Sequence, residues 1–330
     1  MKKRKLAVIF GGVSNEHDIS LMSTKYFYSQ TSNIFDVELI YISKEGGWYI
    51  LNSVEDVKDI TSFNEDQESC LTSLYAVDYV FPIVHGNQGE DGQISGFLDL
   101  MGIKNLCTDT ESSSVCFNKK LTKVIAQNKN VPVVPYWVKR KRDFSDMSIS
   151  FEDIEAKLGT PFVIKPNRSG SSFGVSKVSD AKSFELAVHE AFKYDYEIIF
   201  EKYIQSRELS CVILGNSDNY LITEIGEDDP KGDFNTYEVK YFSEKAELII
   251  PANIDQRVSK QIQEYSLTLM KELNINGFAR YDFFLNGNDI YLNEINTCPG
   301  MTSHSLFPLL LSHSHVTLSD TVNFLIENYG

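Results

Sequence analysis

The chain has 330 residues, of which 42% are hydrophobic and 23% charged, a composition typical of globular proteins with sizeable cores. Its formal net charge of -15 at pH 7 argues against nucleic acid or an anionic membrane as a general partner, because either would require a basic surface. The five cysteines are odd in number and show no C-x-x-C spacing, so neither a disulfide framework nor a structural zinc site is indicated.

The chain begins with a short basic segment that runs into an apolar one. The start MKKRKLAVIFGG lacks the long apolar region and the cleavage site of a secretory signal. The longest apolar runs, such as LAVIF and LFPLLL, are also far shorter than the roughly 20 residues of a membrane-spanning helix. We therefore expect a cytoplasmic protein with no membrane partner and no nucleic-acid partner.

The first hundred residues alternate between strand and helix patterns. Strand patterns cover residues 6–10, 36–43 and 79–86, and helices are predicted from about His17 and through residues 92–102. Such alternation is typical of an α/β domain built on a mostly parallel sheet.

A glycine turn, Gly11-Gly12, follows the first strand. Dinucleotide-binding turns need three glycines in the spacing G-x-G-x-x-G, and no third glycine follows here. Glu16, at the predicted start of the next helix, would also repel a phosphate placed there. The turn therefore disfavours a dinucleotide oxidoreductase and raises the question of what this carboxylate binds.

Strands and helices also alternate through the middle of the chain, with one long loop. The strand patterns are at residues 161–166, 175–178, 196–204 and 207–214, and the helical ones at about 180–194 and 256–273. A loop rich in Gly, Asp and Pro is predicted from Gly226 to Asp233, followed by a strand-rich stretch that ends near residue 252.

Residues 277–300, GFARYDFFLNGNDIYLNEINTCPG, predict a hairpin of two strands joined by NGND. Alternation puts Arg280 and Asp282 on one face of the first strand, and Glu294 and Asn296 on one face of the second. Three oxygen-donor side chains and a guanidinium would then meet, which suits Mg²⁺ bridging phosphates. The alternative is a solvated polar face on an edge hairpin.

The segment TPFVIKPNRSGSSFGVSKV is a second candidate for phosphate binding. Lys165 ends an apolar strand, and the Ser/Gly loop after it supplies backbone N–H groups. The segment lacks the G-x-x-x-x-G-K-[ST] pattern of a Walker loop. A Ser/Gly turn between two strands can also be no more than a flexible hairpin.

Taken together and in this order, the motifs resemble those of the D-alanine–D-alanine ligases, a family of the ATP-grasp superfamily. The resemblance covers essentially the whole chain and rests on GGVSNEHDISLMS, HGNQGEDG, KPNRSGSSFGVSKV, EKYI, GFARYDFF, NEINTCPGMTSHSLFP and TLSDTVNFLIENY. It implies an α/β ATP-grasp fold of three α/β domains, residues 1–117, 118–200 and 201–330. The nucleotide would be held between the central and C-terminal domains, and the first substrate by the N-terminal one.

The resemblance also implies a reaction. ATP phosphorylates the carboxylate of one D-alanine, the amine of a second D-alanine attacks the acyl phosphate, and the dipeptide serves peptidoglycan synthesis. Such chemistry depends mostly on positioning and charge neutralisation. The implied cofactors are ATP as co-substrate and Mg²⁺ or Mn²⁺, with two ions expected, and the implied assembly is a homodimer.

The family's site residues carry over to matching positions of this chain. The implied ATP-binding residues are Lys119 and Lys165 at the phosphates, Glu201, Lys202 and Ile204 at the adenine pocket, Glu208 at the ribose, and also Ser171 and Lys240. The implied metal ligands are Asp282, Glu294 and Asn296. The implied catalytic or substrate-binding residues are Glu16, His85, Ser171, Tyr241, Arg280, Gly300, Ser305 and Leu306, of which Arg280 and the Gly300 N–H would stabilise the tetrahedral oxyanion.

The role that the resemblance implies for Glu16 answers the question of what the carboxylate after the glycine turn binds. Glu16 matches the residue that binds the ammonium of the first D-alanine, and Gly11 and Gly12 would let the backbone pass close to that substrate. Glu16, Ser171 and Tyr241 match a hydrogen-bonded set that ties a lid, residues 226–242, over the site. His85 matches a first-substrate contact, although a loop histidine satisfied by the protein is the alternative.

Other activities remain as alternatives. A D-alanine–D-serine ligase, or a ligase for another amino-acid pair, differs from the leading interpretation only in the second site. D-lactate variants lack the Lys-Tyr pair kept here as Lys240-Tyr241, and the intact hairpin residues argue against a catalytically silent nucleotide-binding regulator. The chain departs from the usual family pattern at Phe117-Asn118 and at Ser95. Of these departures, Asn118 is the one that could alter nucleotide binding.

Overall fold

The structure, a computed structural model, describes residues 3–145, 149–229, 231 and 247–328. Within these ranges the strands form three sheets, one N-terminal, one central and one C-terminal. None of the helices in the described part of the chain combines the length and the apolar character that a membrane crossing requires.

The N-terminal sheet is mostly parallel, as the alternating pattern predicts. Its strands are β1 (Lys5–Gly11), β2 (Asp36–Ile42), β3 (Trp48–Leu51) and β4 (Tyr79–Ile83). The order is β3-β2-β1-β4, with β1 parallel to both β2 and β4 and with β3 antiparallel at the edge. The accompanying helices are α1 (His17–Thr31), a 3₁₀ helix (Val54–Ser62), α2 (Gln67–Ala76) and α3 (Gln93–Leu100).

The central sheet is antiparallel and has the order β5-β8-β6-β7. Its strands are β5 (Tyr136–Arg140), β6 (Phe162–Pro166), β7 (Ser176–Val178) and β8 (Glu197–Lys202). Helices α4 (Thr110–Phe117) and α5 (Lys119–Asn128) precede it, and α6 (Arg142–Ser145), α7 (Phe151–Leu158) and α8 (Ala181–Ala191) belong to it.

The C-terminal sheet is antiparallel, with the order β12-β11-β9-β13-β14 and with β10 paired to β9. Its strands are β9 (Arg207–Gly215), β10 (Tyr220–Ile222), β11 (Gly226–Asp229), β12 (Glu247–Ile249), β13 (Gly277–Asn286) and β14 (Asp289–Asn296). The remaining helices are α9 (Gln256–Glu272), α10 (Leu306–His313) and α11 (Leu318–Asn328).

The predicted loop from Gly226 to Asp233 is wrong in its first half. Residues 226–229 form β11, which pairs with both β9 and β12. The polar composition suggested a loop, but Glu227 is neutralised by Arg207 of the neighbouring strand, with Nη2 and Oε2 2.6 Å apart. Beyond Asp229, only Lys231 of the predicted loop is among the described residues.

One hydrophobic core joins the N-terminal sheet to the C-terminal sheet. Phe27 of α1 stacks on Phe81 of β4, with ring centroids 4.6 Å apart. Phe81 in turn stacks on Phe278 of β13 at 5.5 Å. Because β13 also carries the predicted metal and oxyanion residues, this core sets the position of the hairpin relative to the turn that holds Glu16.

The packing bears on the three proposed domains without fixing their boundaries. The three sheets lie in residues 5–83, 136–202 and 207–296. Strand β8 crosses the boundary that we proposed between residues 200 and 201, so a division after Lys202 would keep the strand whole. Helix α5 contributes Ala126 to the core beneath the C-terminal sheet.

Candidate active site

The turn after β1 is shaped by its protein neighbours. Gly11 and Gly12 have φ of 89° and 95°, which glycine adopts without steric cost. A Cβ at Gly11 would overlap the Ile42 carbonyl, and one at Gly12 would lie 2.8 Å from Cγ1 of Val84. Both glycines are therefore required by the packing of the turn against the protein itself, and their closeness to a substrate stays a prediction.

Glu16 lies at the N-terminus of α1 and is buried, with 7% of its surface exposed. The hydroxyl of Ser171 donates to its Oε1, which joins the N-terminal domain to the Ser/Gly loop after β6. Two glycines flank the carboxylate, since a Cβ at Gly170 would lie 2.6 Å from Oε2 and one at Gly86 would overlap the same oxygen. The structure thus brings Glu16 and Ser171 together as predicted, in a space that two missing side chains leave open.

His85 is fully engaged by the protein. Its Nδ1 lies 2.8 Å from the Cys298 carbonyl and its Nε2 2.9 Å from Oγ of Ser23, which also accepts a hydrogen bond from the Met301 N–H at 3.1 Å. The geometry assigns the proton to Nδ1, which donates to the carbonyl. Burial lowers the pKa of His85 to about 4. His85 lines the cavity beside Glu16 but fits the alternative we gave, a satisfied loop histidine, and it fastens residues 298–301 to α1.

The hairpin β13–β14 is confirmed, and its four polar residues share one face. Arg280 is the register partner of Asn296, and Asp282 that of Glu294. Arg280 donates from Nε and Nη2 to the two oxygens of Asp282, at 2.8 and 2.7 Å. Nδ2 of Asn296 and Oγ of Ser210 also donate to this carboxylate, each at 2.7 Å. Strand β14 is the outer strand of the sheet, but the polar face is not a solvated one, because the side chains of Arg280, Asp282 and Glu294 are only 9%, 14% and 21% exposed.

The lysines predicted to bind phosphate lie on either side of this face. Nζ of Lys119 is 2.9 Å from Oε2 of Glu294 and donates to the Ser169 carbonyl at 2.8 Å. Burial opposes the charge of Lys119, but Glu294 raises its pKa above the usual value. Nζ of Lys165 is 2.7 Å from Oε2 of Glu201. Both lysines are buried, so their charges act in a poorly solvated region.

Glu201, assigned by resemblance to the adenine pocket, has its carboxylate held by two lysines. Oε1 is 2.7 Å from Nζ of Lys123, and Oε2 contacts Lys165. Burial alone would raise the pKa of Glu201, but the two lysines together lower it to about 2. Sequence reasoning missed Lys123, although its spacing of four residues from Lys119 puts both on one face of α5.

Glu90 is a second residue that sequence reasoning missed. It is buried, with 7% exposed, and lines the cavity beside Glu16 as well as the one between Lys119 and Glu294. Burial, and then the nearby carboxylates of Glu16 and Glu294, raise its pKa well above the usual value. Its motif, HGNQGEDG, carried a signal, because Asp91 and the glycines are common turn residues whereas glutamate is not.

The remaining predicted residues lie around this centre with less specific contacts. Lys202 is exposed, Ile204 is partly buried, and Glu208 of β9 is the register partner of Asp228. Oγ of Ser305 accepts from the Thr302 N–H at 3.1 Å. Leu306 is in the core of the N-terminal sheet, so the structure does not bring it to the cavity wall.

Two predicted residues, Lys240 and Tyr241, lie outside the described residues, as does most of the predicted lid. Their roles stay predictions. Gly300, by contrast, lines the same cavity as Glu16 and Arg280, with Oγ of Ser305 3.1 Å from the position a Cβ would take.

One cavity therefore collects groups of complementary chemistry. Glu16 suits a cationic group, while Arg280 and Gly300, which line the same cavity, suit an oxyanion. Glu294 and Asn296 line it as well, and they also line the neighbouring space beside Lys119. A ligand that carries both an ammonium and a carboxylate would therefore find a partner of opposite charge for each group.

The donor set on the hairpin fits a divalent metal ion. Among the described residues no three His, Cys, Asp or Glu side chains form a metal cluster. The predicted set has two carboxylates and one amide, and Mg²⁺ commonly takes few protein oxygens and completes its shell with water and phosphate. Asp282 and Glu294 are adjacent across the hairpin, and each is balanced by one cationic side chain of the protein.

Comparisons with known proteins agree over nearly the whole chain. The family models for the D-ala D-ala ligase N-terminus and C-terminus match residues 5–106 and 125–327. The D-alanine–D-alanine ligase of Caldicellulosiruptor bescii is 36% identical over 349 residues, covering 99% of this chain and 95% of the relative. D-alanine–D-alanine ligase A of Escherichia coli K12 is 34% identical, covering 99% and 96%.

Solved structures agree with the sequence relatives. The VanG D-Ala:D-Ser ligase from Enterococcus faecalis has a TM-score of 0.85 at 32% identity, with 100% of both chains covered. The D-alanine–D-alanine ligase from Coxiella burnetii has a TM-score of 0.80 at 28% identity, covering 99% of this chain and 95% of the other. The predicted α/β ATP-grasp fold is confirmed, and the chain belongs to the D-alanine–D-alanine ligase family.

Proposed function

We propose that this chain uses ATP to join two D-alanines into D-alanyl-D-alanine for peptidoglycan precursors. The observation that carries the proposal is that one cavity is lined both by Glu16, which Ser171 holds, and by Arg280 and Gly300. A zwitterionic amino acid needs this pairing of an anionic and a cationic group. Glu294 of this cavity forms an ion pair with Lys119, the lysine that we assign to the phosphates of ATP.

In the proposed reaction, Glu16 binds the ammonium of the first D-alanine and fixes where its carboxylate lies. Lys119 and Lys165 would neutralise the phosphates of ATP, so that an anionic carboxylate can approach the γ-phosphate in line. The acyl phosphate forms with loss of ADP. The amine of the second D-alanine then adds to the acyl carbon, and phosphate leaves.

Arg280 acts on the tetrahedral intermediate. Its guanidinium is oriented by the bidentate pair with Asp282, which makes the donor geometry rigid before the substrate arrives. Together with the Gly300 N–H it would stabilise the oxyanion, an interaction that strengthens as charge develops there. His85 would keep the segment of Gly300 in place through its contact with the Cys298 carbonyl.

Use of ATP and of a divalent metal goes with membership of this family. Asp282, Glu294 and Asn296 are the residues that would hold the metal. When bound by these residues, the metal ion would supply positive charge that offsets the charge of the phosphates. That the metal is Mg²⁺ or Mn²⁺, and that two ions bind, are parts of the proposal.

Two further expectations complete it. We propose that the other residues carried over by resemblance, including Lys202, Ile204 and Glu208 around the nucleotide, have the roles given above. We also propose that the protein works in the cytoplasm as a homodimer.

A D-alanine–D-serine ligase is the second candidate, favoured by one observation. The VanG D-Ala:D-Ser ligase matches the fold over 100% of both chains. The first-substrate residues would be the same in both activities, so the two candidates differ only in the amino acid that attacks the acyl phosphate.

Phosphate release tests both candidates directly. The purified protein is incubated with ATP, Mg²⁺ and D-alanine, alone and with D-serine or D-lactate, and the products are separated by chromatography. D-Alanyl-D-alanine as the main product supports the leading proposal, and mixed D-Ala-D-Ser supports the second. Absence of phosphate release with every D-amino acid would refute both.

A further inference from the structure

Asn167 is a buried amide that lies just beyond the end of β6, two residues after Lys165, and 0% of its surface is exposed. The protein uses the whole side chain. Oδ1 accepts from the Lys120 N–H at 2.9 Å, while Nδ2 donates to Oδ1 of Asn118 at 2.9 Å and to Oε2 of Glu197 at 3.0 Å. Because Oδ1 faces a backbone donor and Nδ2 faces two oxygens, only this orientation of the amide satisfies all three contacts.

The backbone of Asn167 joins the same elements. Its carbonyl accepts from the Lys119 N–H at 3.1 Å, and its own N–H donates to the Glu197 carbonyl at 2.9 Å. Lys119 is the first residue of α5 and Glu197 the first of β8. Asn167 therefore ties the start of α5 both to the segment after β6 and to β8.

The N-terminus of α5 is closed by two asparagines. Its first four N–H groups are all used, two by Asn167 and two by Asn118. Such groups can otherwise bind phosphate at the start of a helix. Asn118, a departure from the usual family pattern, thus acts here as a helix cap that Asn167 holds, and the side chain of Lys119 is what α5 offers to phosphate.

The ammonium of Lys119 is held at the same junction. Its Nζ donates to the carbonyl of Ser169, two residues beyond Asn167, at 2.8 Å, and lies 2.9 Å from Oε2 of Glu294. Both the backbone and the ammonium of Lys119 thus contact residues 167–169, the segment that begins two residues after Lys165. A shift of α5 along this segment would move one phosphate lysine relative to the other.

The side chain of Asn167 adds a link that its backbone does not supply. The backbone contacts would remain with another residue at this position, but the amide also connects the cap residue Asn118 to the carboxylate of Glu197. That carboxylate is a fixed anchor, because its Oε1 lies 3.2 Å from Nζ of Lys120 and 3.1 Å from Nε of Arg140. The residue directly before Lys119 is thereby fastened to β8.

We propose that Asn167 is a positioning residue for ATP binding, which sets where the ammonium of Lys119 meets the phosphates. Asn167 is completely buried and acts through Lys119. The inference rests on the proposed function, because it takes Lys119 to be a phosphate ligand.

A double-mutant cycle in the full-length protein tests this, with ATP and adenosine as probes in titration calorimetry. The variants are Asn167→Ala, Lys119→Met and the two combined. Adenosine lacks phosphates, so its affinity reports the adenine and ribose contacts alone. Asn105→Ala is the matched control, because Asn105 is also a buried amide, with Nδ2 2.9 Å from Oδ1 of Asp99 and Oδ1 3.2 Å from the backbone nitrogen of Cys107.

Asn167→Ala leaves the Lys120 N–H without its acceptor and removes the link to Glu197, so Lys119 loses its fixed position. We expect ATP affinity to fall by about five- to tenfold, less than the fall of about 10- to 100-fold expected when Lys119→Met removes a charge-assisted hydrogen bond. In the combined variant the residue through which Asn167 acts is gone, so ATP affinity should stay within about threefold of that of Lys119→Met.

The controls separate positioning from stability. Adenosine affinity should change by less than about threefold in all three variants of the cycle. Urea unfolding should show that Asn105→Ala and Asn167→Ala both lose stability, because each leaves a buried partner unsatisfied. Only Asn167→Ala should lose ATP affinity.

Three results would overturn the inference. An ATP affinity of Asn167→Ala within threefold of the wild type would make Asn167 a structural residue only. An equal fall in adenosine affinity would show a general disturbance of the domain. A further fall of about five- to tenfold when Asn167→Ala is added to Lys119→Met would show that Asn167 does not act through Lys119.

The cycle does not depend on one variant. If Asn167→Ala does not fold, Asn118→Ala takes its place, because it removes the oxygen that accepts from Nδ2 of Asn167. If Lys119→Met does not fold, the comparison of ATP with adenosine in Asn167→Ala decides alone.

Failure of the proposed function is a separate outcome. A wild-type protein that binds ATP but releases no phosphate with D-amino acids would refute the ligase activity and leave the role of Asn167 to be decided by the same titrations. An unchanged ATP affinity in Lys119→Met would refute the assignment of Lys119 to the phosphates, and the inference with it.

Discussion

Replacing Gly170 by alanine tests whether Glu16 is the carboxylate that receives the first amino acid. Gly170 has an ordinary φ, so alanine adds a methyl group without backbone strain. That methyl would lie 2.6 Å from Oε2 and 3.0 Å from Oε1 of Glu16. Gly86 also borders this carboxylate, since a Cβ there would overlap Oε2 as well.

The size of the effect follows from the overlap. Ordinary contacts of a Cβ begin at 3.4 Å, so Oε2 must retreat by about 0.8 Å. A displacement of about 1 Å in a positioning group can cost on the order of 10²-fold in rate. We therefore expect kcat/KM for the first D-alanine to fall by about 10- to 100-fold, which corresponds to about 1.4 to 2.7 kcal/mol.

Phosphate release with varied D-alanine measures this, and ATP binding in the absence of D-alanine serves as the second measurement. Gly47→Ala is a matched control, because its methyl would meet the carboxylate of an exposed glutamate, Glu65, at 3.0 Å. We expect Gly170→Ala to bind ATP within about threefold of the wild type. A normal KM for D-alanine in this variant would show that Glu16 does not bind substrate, and an equal loss of ATP binding would show a general disturbance of the loop.

Three further predictions concern the metal site, the oxyanion site and the loss of folding stability at low pH. Glu294→Gln should fold normally but lose at least about 100-fold in activity at saturating Mg²⁺, from lost charge at the metal; retained phosphate release would place the metal elsewhere. Arg280→Lys loses the bidentate pair with Asp282, so kcat should fall by at least about tenfold while the ATP affinity measured by calorimetry stays the same; an unchanged kcat would remove Arg280 from the oxyanion site. Burial lowers the pKa of His85 to about 4, so the stability it contributes is complete above pH 6.5 and is lost as the pH falls toward 4. Urea unfolding should show the wild type losing about 3 kcal/mol more than His85→Gln over that range, and parallel curves would contradict the assignment.

Much of the fold could be predicted because local and global signals agree. The period-two alternation in residues 277–296 matches strands that bury one face, and Gly287, with φ of 60°, closes the hairpin where NGND predicted the turn. Residues 226–229 were mistaken for a loop because Glu and Asp have low strand propensity. These residues form a strand because they pair with β9 and β12, which are distant in the sequence or lie beyond the segment, and the local composition of the segment cannot reveal that pairing.

The candidate site was predictable where a motif carried both residue type and spacing. Arg280, Asp282, Glu294 and Asn296 meet because alternation and a short turn fix the register. Lys123 was not predictable in the same way. It belongs to the polar stretch CFNKKLTK, and only the packing of α5 in the fold, against β14 and with Lys123 beside Glu201 of β8, turns it from a solvated side chain into a buried one.

Glu16 shows how a functional residue departs from the local rules of its own element. In helices α2, α4 and α8 the N-cap residue is an aspartate, and its side chain caps the helix. Asp66, Asp109 and Asp180 each accept a hydrogen bond from the backbone N–H of the residue three positions later. Glu16 occupies the equivalent position of α1, yet its side chain makes no capping hydrogen bond.

The carboxylate of Glu16 instead accepts a hydrogen bond from the hydroxyl of Ser171, a residue of the central domain with φ of 47°. Helix α1 thereby forgoes a cap that contributes about 1 kcal/mol, while the positive end of its dipole still favours the negative charge. The helix dipole favours the negative charge of this carboxylate, and yet its oxygens are not used in a capping hydrogen bond to the helix. That combination suits a group whose partner is the ammonium of a substrate, and it explains why an acidic residue follows the glycine turn.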